Sequence, residues 1–533
     1  MAALGARADH AAVRAMVVGA RLPWDELPFD AVVTERPGVI GGGEGIALPP
    51  DHRTAFMDRV RRVFADVPDH ADAKGMRLLL WPVRGSSMFT HLVEKTVGAA
   101  VALRGGAVSS VGCDAFLPVC DNITHQVTNR KSFCESCVAA HREWADATHS
   151  PVMWLSQLVR GDEREAIRGR AASMTLEAIL GDEEDGIALG ELVRASVIRY
   201  TARGRVVEAD LDIAREYWIA ARLMKIAAER ACEKFRPTRA FTSHGIYATW
   251  GVAAEIFRRR NLPFYVYGLP YMRGRVLVTR NASYHDAFQN EREEDWSNFP
   301  MNDERERALT AYLDSKERGG AYDLAWHNYQ PARTEPVTVN EGRARIALFT
   351  NVSWDAAVHR GAGAFEDVNA FVTETIAWAA GRDDVDLYVR IHPAETKHVW
   401  MPATERMECI IAARFEKLPE HIHIIGPDER VSSYELARRV DVSCVFITTI
   451  GHELAARGSA VVCAGPARYA GKGFTFDARS MGSIFRCWRA RRKFRNRTPS
   501  ARNAREDGLI TTISGAPCRS GFSKAAISTA RKN

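Results

Sequence analysis

The chain has 533 residues, of which 46% are hydrophobic and 26% are charged, as in ordinary globular proteins. This composition excludes a disordered or collagen-like chain, and ten cysteines are too few for a small disulfide-stapled scaffold. At roughly 150 residues per domain, the length predicts three or four structural units. We find no secretory signal pattern and no run of about 18 uncharged apolar residues, so we expect a cytoplasmic protein.

The net charge of +6 comes from the last part of the sequence. Residues 479–533 contain 14 Lys and Arg against two acidic residues, so residues 1–478 are mildly acidic. The positive net charge of the whole chain therefore gives no reason to expect a nucleic-acid partner for residues 1–478. The segment 479–533 has little periodicity. It is either out-of-frame, non-native sequence or a genuine basic tail that contacts a membrane surface or a polyanion.

From residue 76 onward, short apolar runs alternate with helical spacing, which predicts parallel strands covered by helices. The first series has a strand, a helix ended by two glycines, a second strand, a largely helical region, and then a further strand–helix–strand unit. Its segments are 76–83, 92–103, 107–114, 151–237 (with the clearest helix at 211–235), 239–245, 249–260 and 264–268.

Residues 280–343 are polar and aromatic, and they predict a mixture of helix and linker. A second alternating series follows, including a helix that the capping box of Ser432 and Glu435 begins. Its segments are strands 344–352, 385–393, 421–426, 441–449 and 459–465, with helices 368–380, 432–440 and 451–457. We therefore predict an α/β protein with two Rossmann-like domains. The predicted divisions are an N-terminal extension (1–70), a first domain with a helical insert (71–335), a second domain (340–478) and the basic tail (479–533).

Arg390 and His392 stand where the strand 385–393 ends, and ligands bind at the carboxyl ends of parallel strands. His392 could donate to a phosphate or act as an acid, and Arg390 could neutralise phosphate charge. The alternative is a loop histidine beside a surface arginine.

Thr448, Thr449 and Gly451 follow the next strand at the start of a helix, where hydroxyl and backbone N–H groups can hold an anion. Glu453, one turn later, could take a ribose diol; the alternative is an ordinary N-cap with a solvated glutamate. Lys472 lies in a glycine-rich loop that could contact a nucleotide or form a flexible turn. This loop is not a P-loop, because glycine follows the lysine.

In the first series, His244 follows a strand and could be a base, an acceptor-positioning group or a plain turn residue. Asp114 also ends a strand and is a candidate base or a structural cap. The cysteine spacing C-x6-C-x13-C-x2-C contains only one C-x2-C pair, so structural zinc and separately buried thiols both remain open. The four cysteines are Cys113, Cys120, Cys134 and Cys137.

The motifs occur in an order that resembles the capsule polysaccharide biosynthesis glycosyltransferases of GT-B architecture, which are related to the bacterial capsule Kdo transferases. The resemblance covers residues 76 to 477 and is strongest in the second half. The second half carries LFTNVSWDAA, RIHPAE, SSYELARRVDV, TTIGHELAARGSAVVCAG and YAGKGFTFD. The first half carries TSHGIYATWG, LPFYVYG and YHDAFQNEREEDW.

The resemblance implies two Rossmann-like domains facing a central cleft, with a nucleotide-sugar donor, a CMP- or UDP-sugar, on the second domain. His392 would contact the donor phosphate, while Thr448, Thr449 and Glu453 would hold phosphate and ribose. A glycan or lipid-linked glycan acceptor would lie on the first domain, with His244 or Asp114 as the base. No cofactor would be required for catalysis, and any membrane contact would be at most peripheral, at the inner membrane.

Two alternatives to this glycosyltransferase remain open at the level of sequence. A UDP-sugar 2-epimerase-like enzyme would share the two-domain fold but work without an acceptor. An inactive glycan- or nucleotide-binding scaffold is the second alternative. It follows if the basic tail replaces the helix that closes such folds.

Overall fold

The computed structural model describes residues 50–67, 75–83, 85, 88–268, 277–283, 286–287, 302–318, 335–340, 342–355, 363–397, 401–480 and 482–484. Most of the predicted N-terminal extension and most of the basic tail lie outside these residues. The chain divides into two compact units. The first takes residues up to 196 together with 211–283, and the second takes 197–210 together with residues from 284 onward.

The first unit contains six strands and nine helices among its described residues, counting a helix that runs on into the second unit. The strands are β1 (Arg77–Val83), β2 (Ala107–Gly112), β3 (Val152–Trp154), β4 (Arg239–Ser243), β5 (Phe264–Gly268) and β6 (Leu277–Arg280). The helices are α1 (Pro50–Phe64), α2 (Met88–Ala102), α3 (Arg130–Ala147), α4 (Leu155–Leu158), α5 (Gly161–Ala172), α6 (Leu176–Leu180), α7 (Leu189–Thr201), α8 (Leu211–Phe235) and α9 (Val252–Arg259). A 3₁₀ turn, Glu208–Asp210, precedes α8 in the second unit, and a π-helical turn, Tyr247–Gly251, precedes α9.

The first sheet has the strand order β3-β2-β1-β4-β5-β6, with every pair parallel except β5 and β6. The central strand β1 is buried along almost its whole length, which is why its sequence is a continuous apolar run. Leu78 and Leu80 on β1 pack with Phe241 and Tyr267, and α2 covers this cluster. The chain order reverses between β1 and β4, so the carboxyl ends of these two strands mark the switch point of the sheet.

The second unit repeats this plan with six strands, six helices with defined bounds and the end of α7 in its described part, besides short helical pieces at 286–287 and 482–484. The strands are β7 (Ala344–Phe349), β8 (Val385–Arg390), β9 (Ile422–Ile425), β10 (Val442–Val445), β11 (Val461–Cys463) and β12 (Phe476–Asp477). The helices are α10 (Asp303–Arg318), α11 (Val368–Ala380), α12 (Ala394–Lys397), α13 (Met407–Arg414), α14 (Ser433–Arg439) and α15 (Ile450–Ala456), in addition to the end of α7.

The second sheet is parallel throughout, with the order β12-β11-β10-β7-β8-β9. Successive side chains of β7 enter two different apolar clusters, because neighbouring residues of a strand face opposite sides. Ile346 and Leu348 pack against α11, whereas Ala347 and Phe349 pack with Tyr434 of α14. The switch point of this sheet lies between β7 and β10.

These observations confirm the predicted α/β class with two parallel-sheet, Rossmann-like units. The sequence did not predict six elements: the strands β3, β6 and β12, and the helices α3, α12 and α13. The strands have two to four residues, and α12 and α13 have four and eight, too few to show a clear period. Helix α3 has 18 residues but buries only His141, Trp144 and Ala147, so its sequence shows no continuous apolar stripe. The region 151–237, predicted to be helical, accordingly begins with a strand. Of the helices that the structure describes, none is both long and apolar enough to cross a membrane.

Candidate functional site

The loops after β7, β8 and β10 are joined by hydrogen bonds at the switch point of the second sheet. The backbone N–H of His392 donates to Thr350 Oγ1 at 2.9 Å, and the N–H of Ile447 donates to Asn351 Oδ1 at 3.3 Å. Thr350 and Asn351 follow β7 directly, and sequence reasoning did not single them out. These bonds hold His392 at the edge where parallel sheets of this kind bind ligands.

The imidazole of His392 has a defined tautomer. The backbone N–H of Ala394 donates to His392 Nδ1 at 3.1 Å, so Nδ1 carries no proton. The ring proton is then on Nε2, which makes Nε2 a hydrogen-bond donor in the neutral ring. His392 is half-buried, and Pro393 follows it.

Arg390 has contacts that differ from those predicted for a donor-binding group. It is 2% exposed, and its guanidinium donates to the carbonyl oxygens of Gly426 and, at 3.4 Å, Glu429. Burial lowers the pKa of Arg390 to about 10, against the raising effect of Glu429 and Asp428. The side chain therefore holds the turn after β9, and its contact with a donor phosphate stays a prediction that these bonds do not support.

Thr448 and Thr449 lie at the start of α15, as the sequence predicted, but Glu453 is not directed to solvent. Its carboxylate is 2% exposed and accepts a hydrogen bond from the Tyr434 hydroxyl at 2.6 Å. Gly451 is required by packing, since a Cβ there would lie 2.1 Å from the hydroxyl oxygen of Tyr469. A ribose contact by Glu453 remains a prediction that would require the tyrosine to be displaced.

The glycine-rich loop carries Lys472 between two residues with positive φ, Gly471 at 79° and Gly473 at 81°. Left-handed backbone of this kind favours glycine at both positions. Asp477 closes the loop, because its carboxylate accepts from the Gly471 N–H and from the Thr475 hydroxyl, both at 2.7 Å. Lys472 is half-buried and lies within this tied loop.

Glu395, three residues after His392, is a buried ionisable group that sequence reasoning did not weigh. It is 1% exposed, and its Oε2 accepts from the Met407 N–H at 3.0 Å, so it caps the start of α13. Burial raises the pKa of Glu395 to about 7, and Glu408 raises it further, while the Met407 N–H and Arg406 lower it. Its place in the motif RIHPAE was visible, but burial was not.

Residues 197–210 pack with the second unit although they lie within the first series of the sequence. Ile198 and Ala202 join a buried cluster with Val352 after β7 and Ala394 after β8. The N–H of Thr404 donates to the Ala202 carbonyl at 2.9 Å. This segment therefore covers part of the carboxyl edge that also carries His392. No local pattern in the sequence indicates it.

In the first unit, His244 lies directly after β4 in a strained turn. His244 has a φ of 54° and Tyr247 a φ of 70°, both unusual for residues with a side chain. His244 Nδ1 lies 2.5 Å from the Ser243 hydroxyl, and the ring stacks on Trp250 with centroids 5.1 Å apart. The turn places a half-buried imidazole at the switch point of the first sheet.

Asp114 has the contacts of a structural cap. Its carboxylate accepts from the Ser156 N–H at 3.3 Å and from the Ser156 hydroxyl. Ser156 lies in the first turn of α4, so Asp114 satisfies a backbone donor that the helix itself leaves unpaired. Of the two roles that the sequence left open, the cap has structural support, and the role of base stays a prediction.

The four candidate metal-ligand cysteines all line a single cavity of the first unit, and none of them is in a disulfide bond. Within the described part of the chain, no three His, Cys, Asp or Glu side chains are placed so that they could already hold a metal ion. His125, which lies between the cysteines in sequence, is exposed. The cysteines are Cys113, Cys120, Cys134 and Cys137.

Two buried ionisable residues of the first unit, Lys95 and His141, were not singled out from the sequence. Lys95 is 1% exposed and its Nζ has no hydrogen-bond partner; burial lowers its pKa to about 8, and Glu94 raises it. His141 is fully buried, and burial, followed by Lys95, lowers its pKa to about 3. Gly112 allows the approach of this histidine, because a Cβ there would lie 2.8 Å from the ring.

No protein-family model and no curated protein matches the chain. Solved structures similar to it include the KpsC β-Kdo 2,4 transferase of Thermosulfurimonas dismutans, at 19% identity and a TM-score of 0.33, covering 46% of this chain and 74% of that one. The UDP-GlcNAc 2-epimerase of Neisseria meningitidis is similar at 9% identity and a TM-score of 0.23, covering 86% and 100%. The Streptomyces sp. SF2575 glycosyltransferase SsfS6 is similar at 9% identity and a TM-score of 0.22, covering 83% and 97%. Similarities this weak carry no argument about activity.

Proposed function

We propose that the protein is a glycosyltransferase that moves a sugar from a nucleotide-sugar donor to a surface or capsular polysaccharide acceptor. The observation that carries this proposal is His392, held at the switch point of the second sheet with its ring proton on Nε2. Thr448 and Thr449, in the loop after β10 on the other side of β7, supply further hydroxyl groups for a CMP- or UDP-sugar.

The tautomer of His392 defines its proposed role. As the bond to the nucleotide breaks, negative charge grows on the phosphate oxygens, and a donor placed beside them becomes more stabilising. Nε2–H can provide this bond from a neutral ring. Because Nδ1 has no proton, loss of the Nε2 proton would leave an imidazolate anion, so His392 stabilises charge rather than transferring its proton. Protein groups hold the phosphate in this scheme, and it needs no metal cofactor.

In the first unit, His244 is the better supported of the two candidate bases. Its Nδ1 contacts the Ser243 hydroxyl, and when Nδ1 carries the ring proton and donates to Ser243, Nε2 holds a lone pair that can accept a proton. Asp114 already accepts two hydrogen bonds from Ser156, so both of its carboxylate oxygens are engaged in capping α4. Base catalysis of acceptor attack supplies about 10²–10⁴-fold in rate.

The first experiment is thermal stabilisation by CMP, UDP and GDP. A nucleotide at a concentration 100 times its Kd raises the free energy of unfolding by about 2.7 kcal/mol. His392→Ala removes one hydrogen bond to a charged group, worth about 1.5–3 kcal/mol, so we expect nucleotide affinity to fall roughly 10- to 100-fold. His423→Ala is the matched control. His423 stands near the start of β9, so it lies toward the amino ends of the strands, away from the carboxyl ends that carry His392.

The outcomes separate the proposed function from its alternatives. Interconversion of a UDP-sugar without any acceptor would identify an epimerase. Nucleotide binding without turnover, under any donor and acceptor tested, would indicate a binding scaffold. Equal nucleotide affinity of the His392→Ala and His423→Ala variants would contradict the role of His392.

A further inference from the structure

A small cavity in the first unit collects cysteines that lie far apart in the sequence. It has a volume of about 30 Å³, enough for one or two water molecules or a single metal ion. Cys113 follows β2 directly and Cys120 lies in the loop beyond it, while Cys134 and Cys137 stand three residues apart on α3. Residues three apart on a helix share a face, so both α3 thiols can reach the cavity.

We propose that Cys113, Cys120, Cys134 and Cys137 bind one zinc ion in this cavity. Four cysteine ligands in a closed, tetrahedral arrangement are typical of structural zinc sites. The cavity is too small for an iron–sulfur cluster. The proposed site differs from the donor and acceptor groups considered above.

The four cysteines lie within electrostatic range of one another. Cys137 interacts with each of the other three, and Cys113 interacts with Cys120. All four also line the same cavity, so a divalent cation bound there would be near several of them and would stabilise the thiolate form of each ligand.

The sulfur of Cys137 accepts a backbone hydrogen bond of the kind that metal-binding thiolates often accept. The backbone N–H of Gly85 donates to Cys137 Sγ at 3.0 Å, and outer hydrogen bonds of this kind orient ligating groups and stabilise their charge. Gly85 is required there, since a Cβ would lie 1.9 Å from the Cys137 carbonyl oxygen. The thiols as placed do not yet form a metal-holding group. The proposed site therefore requires the cysteine side chains to turn about χ1 so that the sulfurs point into the cavity.

The proposed ion would stabilise the carboxyl edge of the first sheet. Thr249 and Trp250 also line the cavity, and Trp250 stacks on His244. Asp121, next to Cys120, accepts from the Thr249 N–H at 3.1 Å and from its hydroxyl at 2.5 Å. Zinc would therefore join the loop after β2, helix α3 and the turn after β4, and its loss would loosen the turn that carries His244.

The test is the metal content of the full chain, purified without a histidine tag or chelator, by inductively coupled plasma mass spectrometry. We expect one zinc ion per chain, and Co²⁺ substitution should give the intense thiolate-to-cobalt absorption of a tetrahedral site. The Cys134→Ser/Cys137→Ser double variant should lose both signals. A chelator should lower the Tm of the parent protein and leave that of the variant unchanged.

Cys232→Ser is the matched control, because Cys232 is a buried thiol on α8 of the same unit, outside the cavity. It should keep the full zinc content. The proposal fails if the parent protein, supplied with zinc during expression, holds no stoichiometric metal and shows no cobalt–thiolate absorption. It also fails if mass spectrometry finds disulfides among the four cysteines. These readouts use no substrate, so their failure leaves the proposed glycosyl transfer untouched.

Discussion

The buried carboxyl group of Glu395 gives a pH dependence that can be worked out from the structure. Its pKa of about 7, raised chiefly by burial from 4.5, means that the folded protein binds a proton that the unfolded chain releases. The free energy of unfolding therefore falls as pH rises from 4.5 to about 7, by about 3 kcal/mol in total. Glu395→Gln cannot ionise and still offers an oxygen to the Met407 N–H, so it should remove this fall.

We expect the stability difference between Glu395→Gln and the parent protein to grow by about 3 kcal/mol in favour of the variant between pH 4.5 and 8. Urea unfolding across this pH range measures the difference, and hydrogen exchange of α13 reports the local effect. Glu408→Gln is the matched control, because this neighbouring carboxylate is exposed. Parallel pH profiles of the parent protein and Glu395→Gln would refute the reasoning.

Three further predictions concern other buried groups. Lys95→Met should raise Tm at pH 7, because burial lowers the Lys95 pKa to about 8, and the gain should shrink toward pH 10; a pH-independent gain would contradict this. Gly451→Ala should cost about 1–3 kcal/mol in urea unfolding, since the new Cβ displaces Tyr469; an unchanged midpoint would count against that packing. Asp182→Ala should cost about 1.5–3 kcal/mol, because the buried Arg222 loses its 2.9 Å partner and keeps only the ion pair with Glu184; a loss below about 1 kcal/mol would show that water replaces the lost carboxylate.

The predicted site residues of the second unit differ in how far the structure supports them. His392, Thr448 and Thr449 lie at one sheet edge, as the position after parallel strands predicts. Arg390 shares the same strand end but faces the turn after β9, because its long side chain satisfies two backbone carbonyls there. The sequence carries no signal for this choice, since both arrangements place an arginine at the end of a buried strand.

The four cysteines of the first unit also show that contacts between distant segments cannot be inferred from chain order. Spacing along the chain left the cysteines open between a metal site and separate thiols, because the helix α3 and the loop after β2 are brought together only by the sheet. Lys95 illustrates the reverse case. A lysine on a helix normally lies at the surface, so its complete burial could not be inferred from its place in α2.

The sequence by itself determined the α/β class, the order of the longer strands, most of the longer helices apart from α3, and the division into two successive series of parallel strands. These features follow from local periodicity and buried apolar runs, which need no distant contact to be recognised. Only the tertiary structure decided the short strands β3, β6 and β12, the assignment of residues 197–210 to the second unit, and the burial of Glu395 and Lys95. Each of these depends on contacts between residues far apart in the chain, whose free energies no local pattern records.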